Sequence, residues 1–362
     1  MIRDDRKLAA LLLLSLAWST PAVAQEGRLE GVRVHAVSLE RNLLGDSADK
    51  RVLIYLPPDY DTAKKKRYPT IYILHGFSLG SSLLDDWGAV TKEWMDKLVA
   101  AGQIQGMIAV IPDGQNAYRG GFYTNSEAGG GYEDYVVKDL VAYVDTHYRT
   151  IPEAGSRGVG GHSMGGYGAF VLGMKHPDVF SATYSLSPCC MGFVGDLTSS
   201  NSAWRETLAL KTRKDVEAAV KAEKFYVVAL LAMSAAFSPD GNATPLLADE
   251  PYLLRDGNLV PRTGVIAKWE EHFPVNLVEK YRVNLLNLRG IWLDYGTKDE
   301  FSHIPIATSE LSSKLAKAGI PHTFEVFEGT HDSKAPERVG ARMLPYFSRL
   351  LSGEAAASNA NK

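Results

Sequence analysis

The stretch that decides the fold is Gly160-Gly161-His162-Ser163-Met164-Gly165-Gly166, a Gly-x-Ser-x-Gly motif with further glycines at both ends. In this motif a strand passes into a helix through a turn so tight that the serine adopts strained backbone angles, with glycine needed two residues to either side. The turn points the serine hydroxyl into a cleft, where the next helix also directs its free N–H groups. The motif therefore predicts Ser163 as a nucleophile.

The residues on either side of the motif come in the order that such a turn requires. Residues 157–160 have the small side chains of a short buried strand, and residues 166–176 show helical spacing until Pro177 ends the helix. The alternative is a glycine-rich turn with an incidental serine, since a chain with 33 glycines would contain the bare pattern by chance in roughly one case in five. The order of strand, motif and helix favours the nucleophile.

The first 24 residues predict a signal peptide. Three basic residues precede an apolar run over residues 8–18, and Ala22-Val23-Ala24 forms an A-x-A cleavage site before Gln25. The run is shorter than a membrane span, which disfavours the alternative of an uncleaved anchor. We therefore expect a secreted or periplasmic protein, cleaved near Ala24-Gln25, with no membrane span in its mature form.

The composition of the 362 residues, 45% hydrophobic and 22% charged, is typical of a globular protein. A formal net charge of −3 predicts neither a nucleic-acid-binding surface nor a polybasic membrane patch. The sequence contains no recognisable metal or nucleotide motif, so we expect no metal and no cofactor. The length allows one large domain with an insertion, which we place at residues 25–352, followed by a disordered tail at 353–362.

Strand-like and helix-like segments alternate along the chain. Strand patterns occur at residues 31–39, 51–56, 70–74, 107–111, 182–186, 289–294 and 323–327, and helical patterns at 89–101, 132–148, 306–318 and 336–351. Alternation of this kind predicts an α/β fold with a mostly parallel central sheet and helices on both faces. Residues from about 190 to 289 break the alternation and are predicted to form a cap-like insertion.

A serine hydroxyl is a poor nucleophile at neutral pH, so the chain must also supply a base and a carboxylate that orients it. The chain order serine, acid, histidine points to His331, in the loop directly after the last predicted strand. His303 begins a helical segment and His322 precedes a strand, which makes both weaker candidates. The alternative role for His331 is that of a histidine in a surface loop.

The acid candidates lie at the end of the strand predicted at residues 289–294 or just after it. Asp299 lies in the loop after that strand, whereas Asp294 still lies within it and Glu300 would point in a different direction. We therefore predict Asp299 as the acid, with Glu300 and Asp294 as the alternatives.

Residues around the nucleophile are predicted to bind the reacting ester. An oxyanion hole needs two backbone N–H donors, which we assign to Met164 and to Phe77, with Ser78 as a close competitor for Phe77. Three aromatic residues of nearby loops, Trp87, Tyr118 and Tyr123, are predicted to contact the substrate. The alternative for such residues is that they only pin their loops.

Together these motifs resemble the esterase-D-type "putative esterase" family of α/β-hydrolases. The matching segments are residues 52–60, 67–77 and 111–114, the serine motif, Gly296-Thr297-Lys298-Asp299 and Gly329-Thr330-His331. The family includes S-formylglutathione hydrolases, feruloyl and acetylxylan esterases, siderophore esterases and mycobacterial mycolyltransferases. The resemblance implies an ester hydrolase with no cofactor and with the triad Ser163, Asp299 and His331. Residues 190–289 depart from the family pattern and leave the acyl and alcohol pockets undetermined.

The resemblance and the predicted export together favour an exported serine carboxylesterase. Such an enzyme would act through an acyl-enzyme on small-molecule or polysaccharide-linked esters, including feruloyl and acetyl esters, and export disfavours the S-formylglutathione role. Two alternatives are an acyltransferase of the mycolyltransferase type and a non-catalytic binding module on a hydrolase scaffold. Measuring how the product divides between free acid and an added acceptor would distinguish an acyltransferase from an esterase. Labelling by a fluorophosphonate would distinguish a catalytic protein from a binding module.

The two cysteines of the chain, Cys189 and Cys190, are neighbours, so no disulfide framework holds the fold together. A bond between them would join Cα atoms about 3.8 Å apart, below the usual range of roughly 4.4–6.8 Å. We therefore expect two free, partly buried thiols near the cleft rather than a strained vicinal disulfide.

Overall fold

The central sheet of the computed structural model, which describes residues 25–351, has eight strands. In chain order they are β1 (Arg28–His35), β2 (Asp49–Leu56), β3 (Thr70–Leu74), β4 (Ile108–Pro112), β5 (Arg157–His162), β6 (Ala182–Leu186), β7 (Gly290–Gly296) and β8 (Thr323–Phe327). Their order across the sheet is β1-β2-β4-β3-β5-β6-β7-β8. Strand β2 runs antiparallel to both of its neighbours, and all other pairs are parallel. The predicted mostly parallel sheet is confirmed.

The predicted signal peptide (1–24) and tail (353–362) lie outside the described residues.

Five α-helices are long enough to be labelled. They are α1 (Leu83–Ala100), α2 (Met164–Lys175), α3 (Arg213–Lys221), α4 (Phe225–Phe237) and α5 (His303–Lys317). Shorter helices are Ala203–Thr207, Thr263–Glu270, Pro274–Leu277 and Arg282–Asn287, with 3-10 turns at Val37–Leu39, Ala154–Ser156 and Gly195–Leu197. Helix α1 begins earlier than predicted, because Asp85 and Asp86 in its first turn favour a helix N-terminus.

Two further helices contain a π-helical stretch. The first consists of Tyr132–Asp134, the π-helical Tyr135–Leu140 and Val141–His147, and the second of Ala335–Arg338, the π-helical Val339–Met343 and Leu344–Leu350. Both cover the ranges in which helices are predicted from the sequence. The segment between β4 and the first of these helices contains a small antiparallel ribbon of Asn125–Ser126 and Gly130–Gly131.

Helices cover both faces of the sheet, because successive residues of a strand point to opposite sides. Ile71 and Ile73 of β3 belong to one apolar cluster, which includes α1 and the C-terminal helix. Tyr72 and Leu74 belong to the other cluster, together with α2 and the helix over residues 132–147. Every residue of β3 is buried, which explains why this strand is a near-continuous apolar run in the sequence.

Residues 190–289, the predicted cap-like insertion, contain α3, α4 and a hairpin of Tyr252–Arg255 with Asn258–Pro261. Helix α4 is apolar on all sides and buried from Val227 to Phe237. Its Phe237 ring packs against Phe122 and Tyr167 of the main domain, so this segment shares the domain's core. Among residues 25–351, no helix combines the length and the apolar character that crossing a membrane requires.

Gly165 is required by the close crossing of α2 over the end of β3. A Cβ atom at this position would lie 1.9 Å from the carbonyl oxygen of Leu74, a backbone atom with little freedom to move. We expect Gly165→Ala to lower the free energy of unfolding by about 3 kcal/mol or to prevent folding. Urea unfolding of the variant and the wild type measures the change in the free energy of unfolding. Gly264→Ala is the matched control, because no atom lies within 4 Å of a Cβ there. Equal changes in the two variants would contradict the prediction.

Candidate active site

Ser163 lies at the carboxyl end of β5, where the chain turns into α2. Its backbone angles are φ 56° and ψ −117°, a combination that residues other than glycine rarely adopt. Two hydrogen bonds hold the turn: the Ser163 N–H donates to the Leu186 carbonyl at 3.0 Å, and the Ser163 carbonyl accepts from the Cys189 N–H at 3.1 Å. The strained turn expected from the Gly-x-Ser-x-Gly motif is therefore present in the structure.

His331 and Asp299 are brought together at the same edge of the sheet as Ser163. Asp299 follows β7 and His331 follows β8, and the neighbouring parallel strands place both loops side by side. The His331 Nδ1 donates to Asp299 Oδ2 at 2.9 Å, and both side chains are buried. The Phe301 N–H donates to the other carboxylate oxygen at 3.0 Å. This arrangement leaves the His331 Nε2 free to accept a proton.

The structure distinguishes the three acid candidates by their contacts. Asp294 pairs with Arg338 at 2.6 Å and accepts a hydrogen bond from the Tyr184 hydroxyl, also at 2.6 Å. Its burial raises its pKa to about 6 in spite of these partners. Glu300 accepts a hydrogen bond from the backbone N–H of His331 at 3.1 Å, so it holds the loop and not the ring. Of the three, Asp299 is the one that bonds to the His331 ring.

Ser163 and His331 line one cavity of about 340 Å³. Among the described residues no hydrogen bond joins their side chains, as is common in unliganded enzymes, where such bonds shorten when the substrate binds. Two rings hold the His331 imidazole: Phe301 packs edge-on at a centroid distance of 4.7 Å, and His162 lies at 4.5 Å. The position of the His331 ring is therefore set by packing as well as by Asp299.

His162, a residue of the serine motif for which we predicted no role, links the nucleophile turn to the His331 loop. Its Nε2 donates to the His331 carbonyl at 3.1 Å, and its ring packs against Trp87. Burial, together with the neighbouring His331, lowers the pKa of His162 to about 3, so its ring is neutral. Potential metal-ligand atoms of His162, His331 and Asp332 lie within 4.8 Å of one another, but both rings already use a nitrogen in hydrogen bonds.

Two unbonded backbone N–H groups lie next to the nucleophile. Neither Phe77, after β3, nor Met164, at the start of α2, donates its N–H to an acceptor within residues 25–351. A Cβ at Gly76 would lie 3.2 Å from the Ser163 Cβ, which shows how closely the Phe77 loop approaches the nucleophile. The Ser78 N–H is also unbonded, so Ser78 remains a competitor for the second donor position.

The cavity has largely apolar walls. Its lining includes Trp87, as predicted from the sequence, and also Phe225, Phe301, Leu83 and Val90. Phe225 packs edge-on against Phe77 and tilts against Phe301, which joins the insertion to the two loops of the site. Phe225 begins the apolar sequence of α4, but nothing in that sequence marks which of its residues face a cavity.

Neither Tyr118 nor Tyr123 lines this cavity, so the structure gives no support to the prediction that they contact the substrate. Tyr123 is fully buried, and its hydroxyl donates to the His75 carbonyl at 3.1 Å. The Tyr118 hydroxyl donates to the Leu246 carbonyl at 2.9 Å. Both tyrosines pin their loop to the core, because a buried phenol needs a hydrogen-bond partner and finds one in a backbone carbonyl.

Comparison with known proteins identifies the family of the chain. The family described as "Putative esterase" matches residues 47–335. The chain belongs to this family. Its fold is similar to that of a ferulic acid esterase, with 21% identity and a TM-score of 0.60 over 90% of this chain and 99% of the other. An S-formylglutathione hydrolase from Agrobacterium tumefaciens has 15% identity and a TM-score of 0.60, over 91% and 98% of the two chains.

A third similar structure is the fluorophosphonate-binding serine hydrolase F of Staphylococcus aureus, with 15% identity and a TM-score of 0.53 over 90% and 99% of the chains. These similarities confirm an α/β-hydrolase type of fold. Membership in the esterase family supports ester hydrolysis as the class of activity.

Proposed function

We propose that this member of the esterase family is a serine carboxylesterase that hydrolyses carboxylic esters through an acyl-enzyme. The observation that carries the proposal is the 2.9 Å bond between His331 and Asp299 at the wall of the cavity that also contains Ser163. A buried carboxylate that orients an imidazole beside a strained serine is the arrangement that activates a hydroxyl nucleophile.

The first half of the reaction is acylation of Ser163. Its Oγ attacks the ester carbonyl carbon while the His331 Nε2 takes the hydroxyl proton, and Asp299 stabilises the imidazolium that results. The N–H groups of Phe77 and Met164 donate to the oxyanion of the tetrahedral intermediate. When the intermediate collapses, the ester C–O bond breaks and the leaving alkoxide takes the proton from His331.

The second half is hydrolysis of the acyl-enzyme. Water attacks the acyl carbon as His331 takes one of its protons, and the Phe77 and Met164 N–H groups again stabilise the oxyanion. Collapse breaks the bond to the Ser163 Oγ, which regains its proton from His331. The carboxylic acid leaves, and the enzyme returns to its initial state.

The cavity supports neutral esters with an aromatic or other apolar group. Its walls are aromatic and aliphatic, and its ionisable lining consists of Asp86, Asp332, His162 and His331, so the two carboxylates would repel an anionic substrate. One similar structure is named a ferulic acid esterase, which is consistent with an aromatic acyl group.

The substrate class is tested with p-nitrophenyl acyl esters of increasing chain length and with methyl ferulate. We expect hydrolysis of these esters, with free acid as the main product even when an alcohol acceptor is added. Transfer of most of the acyl group to the acceptor would instead identify an acyltransferase. No turnover of any ester, together with no fluorophosphonate labelling, would overturn the proposal.

Trp87 is expected to contribute binding energy for an aromatic group. Removing the indole by Trp87→Ala deletes apolar contact area, so we expect KM for methyl ferulate to rise by about tenfold, which corresponds to about 1.4 kcal/mol. KM for methyl acetate, which is too small to reach the whole wall, should change little. Trp87→Phe is the control that keeps an aromatic ring. Equal changes in KM for the two esters would contradict this role.

Export is the remaining part of the proposal. It is supported by the basic, apolar and A-x-A segments of residues 1–24 in the sequence. An exported esterase would meet carbohydrate-linked or other extracellular esters.

A further inference from the structure

Cys189 belongs to a buried group of ionisable side chains beside the nucleophile that the proposed mechanism does not use. It follows β6, and its backbone N–H is bonded to the Ser163 carbonyl. Its side chain lines a small pocket of about 30 Å³. This pocket shares Ser163, Phe77, Phe225 and Phe301 with the large cavity, so the thiol lies directly behind the wall of the active site.

His303 lines the same pocket and is oriented by Asp196. Its Nδ1 and an Asp196 carboxylate oxygen are 2.6 Å apart, and the same oxygen accepts the His303 backbone N–H at 2.9 Å. The side chain is 4% exposed, and its Nε2 makes no hydrogen bond of regular geometry with any residue of the described chain. Although burial opposes it, Asp196 and Cys189 raise the pKa of His303 to about 9. A cationic N–H donor therefore lies beside the thiol.

Cys189 and Cys190 are free thiols whose sulfur atoms are 2.7 Å apart. Burial raises the pKa of both thiols, but in Cys189 hydrogen bonding to Cys190 and the interaction with His303 outweigh it and lower the pKa to about 7. Cys190 is fully buried next to Met233 and does not line the pocket. The lowered pKa thus favours the thiolate of Cys189, which lines the pocket, while Cys190 stays protonated and enclosed.

We propose that Cys189 and Cys190 form a redox-active dithiol that reacts with small disulfides, with Cys189 as the attacking thiolate and Cys190 as the resolving thiol. Asp196 and His303 hold the thiolate in the way that a carboxylate and an imidazole activate a catalytic cysteine. The reaction does not involve the Ser163 hydroxyl, so this proposal is independent of the proposed esterase activity.

The exchange proceeds in two balanced steps. The Cys189 thiolate attacks one sulfur of a small disulfide RSSR, which forms a mixed disulfide and expels RS⁻. Cys190 then passes its proton to the expelled RS⁻, which becomes RSH, and attacks the Cys189 sulfur, which closes the Cys189–Cys190 bond and expels the second RS⁻. The two cysteines lose two electrons, and RSSR is reduced to two thiols. The bond that forms spans neighbouring residues and is strained, so thiol reductants should reopen it readily.

The test is the reaction of the reduced, desalted native protein with 2,2′-dipyridyl disulfide, a small planar reagent. We expect two pyridinethiones to be released per chain, with no reagent attached and with loss of two hydrogens in the intact mass. The reaction rate should increase with a midpoint near pH 7, because the Cys189 thiol ionises there. An ordinary thiol, with a pKa of about 8.5, would give a midpoint near that higher pH.

Three variants identify the roles of the residues. Cys190→Ser should release one pyridinethione and keep the other half of the reagent attached, and Cys189→Ser should react at least about 100-fold more slowly. His303→Gln should move the pH midpoint toward that of an ordinary thiol. Ser163→Ala should react like the wild type, so loss of esterase activity and loss of thiol chemistry are distinguishable. Circular dichroism checks that each variant is folded.

Two results would overturn the proposal. One is a native protein that releases no pyridinethione although the denatured protein releases two, which would show that the thiols are inert. The other is a wild-type protein that retains the reagent, which would show that Cys190 does not resolve the mixed disulfide. Both measurements are made on the wild type, so they decide the matter even where Cys190→Ser does not fold.

Discussion

Ser163→Ala should lower kcat for p-nitrophenyl esters by about 10⁴-fold or more while leaving the fold intact. The Oγ removed by this change is the attacking atom, and any residual rate would come from binding and the oxyanion hole alone. The Ser163 side chain makes no hydrogen bond with a described residue, so its loss should not change the free energy of unfolding measurably. Steady-state kinetics and urea unfolding of the same sample measure both quantities.

The matched control is Ser234→Ala, which removes a serine hydroxyl in α4 that donates to the Leu230 carbonyl. A fluorophosphonate should label the wild type and the Ser234→Ala variant but not Ser163→Ala, because the reagent is attacked by the activated hydroxyl. Retention of more than a tenth of the wild-type activity by Ser163→Ala would identify a different nucleophile.

Asp299→Asn should lower kcat by about 10³–10⁴-fold. An amide at this position favours the wrong tautomer of His331 and leaves its Nδ1 without a carboxylate, so the imidazolium formed during the reaction loses its stabilising charge. The measurement is kcat for a p-nitrophenyl ester, together with a melting temperature that shows the variant is folded.

Two neighbouring carboxylates are controls for Asp299. Glu300→Gln keeps an acceptor for the His331 backbone N–H and should change kcat much less. Asp294→Asn disturbs the buried pair with Arg338, so its main effect should be on stability. A larger loss of kcat in Glu300→Gln than in Asp299→Asn would mean that Glu300 and not Asp299 orients the base.

The sequence predicted those parts of the fold that depend on local patterns. The near-continuous apolar run at residues 70–74 predicted β3 at the bounds the structure shows, because a strand buried on both faces is apolar at almost every position. The glycines of the serine motif predicted the strained turn at Ser163. A Cβ at Gly161 would collide with backbone atoms of Leu74 and Gly165, and a Cβ at Gly165 would collide with backbone atoms of Leu74, so only glycine fits at these two positions.

Contacts between segments far apart in the chain required the tertiary structure. Asp299 and Glu300 are adjacent in the sequence, and only the packing of the β7 and β8 loops shows which of them reaches the His331 ring. The same holds for Tyr118 and Tyr123, whose loop carries no periodicity that would show which way the rings point. Their hydroxyl groups bind backbone carbonyls of other segments.

The sequence by itself determined the α/β architecture, the strained turn at Ser163 and the family to which the chain belongs, because each follows from residue types at short, fixed spacings. The tertiary structure decided the walls of the cavity, where Phe225 of the insertion meets Phe301. It also decided the meeting of Cys189 with His303, more than a hundred residues later in the chain. Such contacts depend on how whole helices and loops pack, and a local sequence pattern does not determine the free energy of that packing.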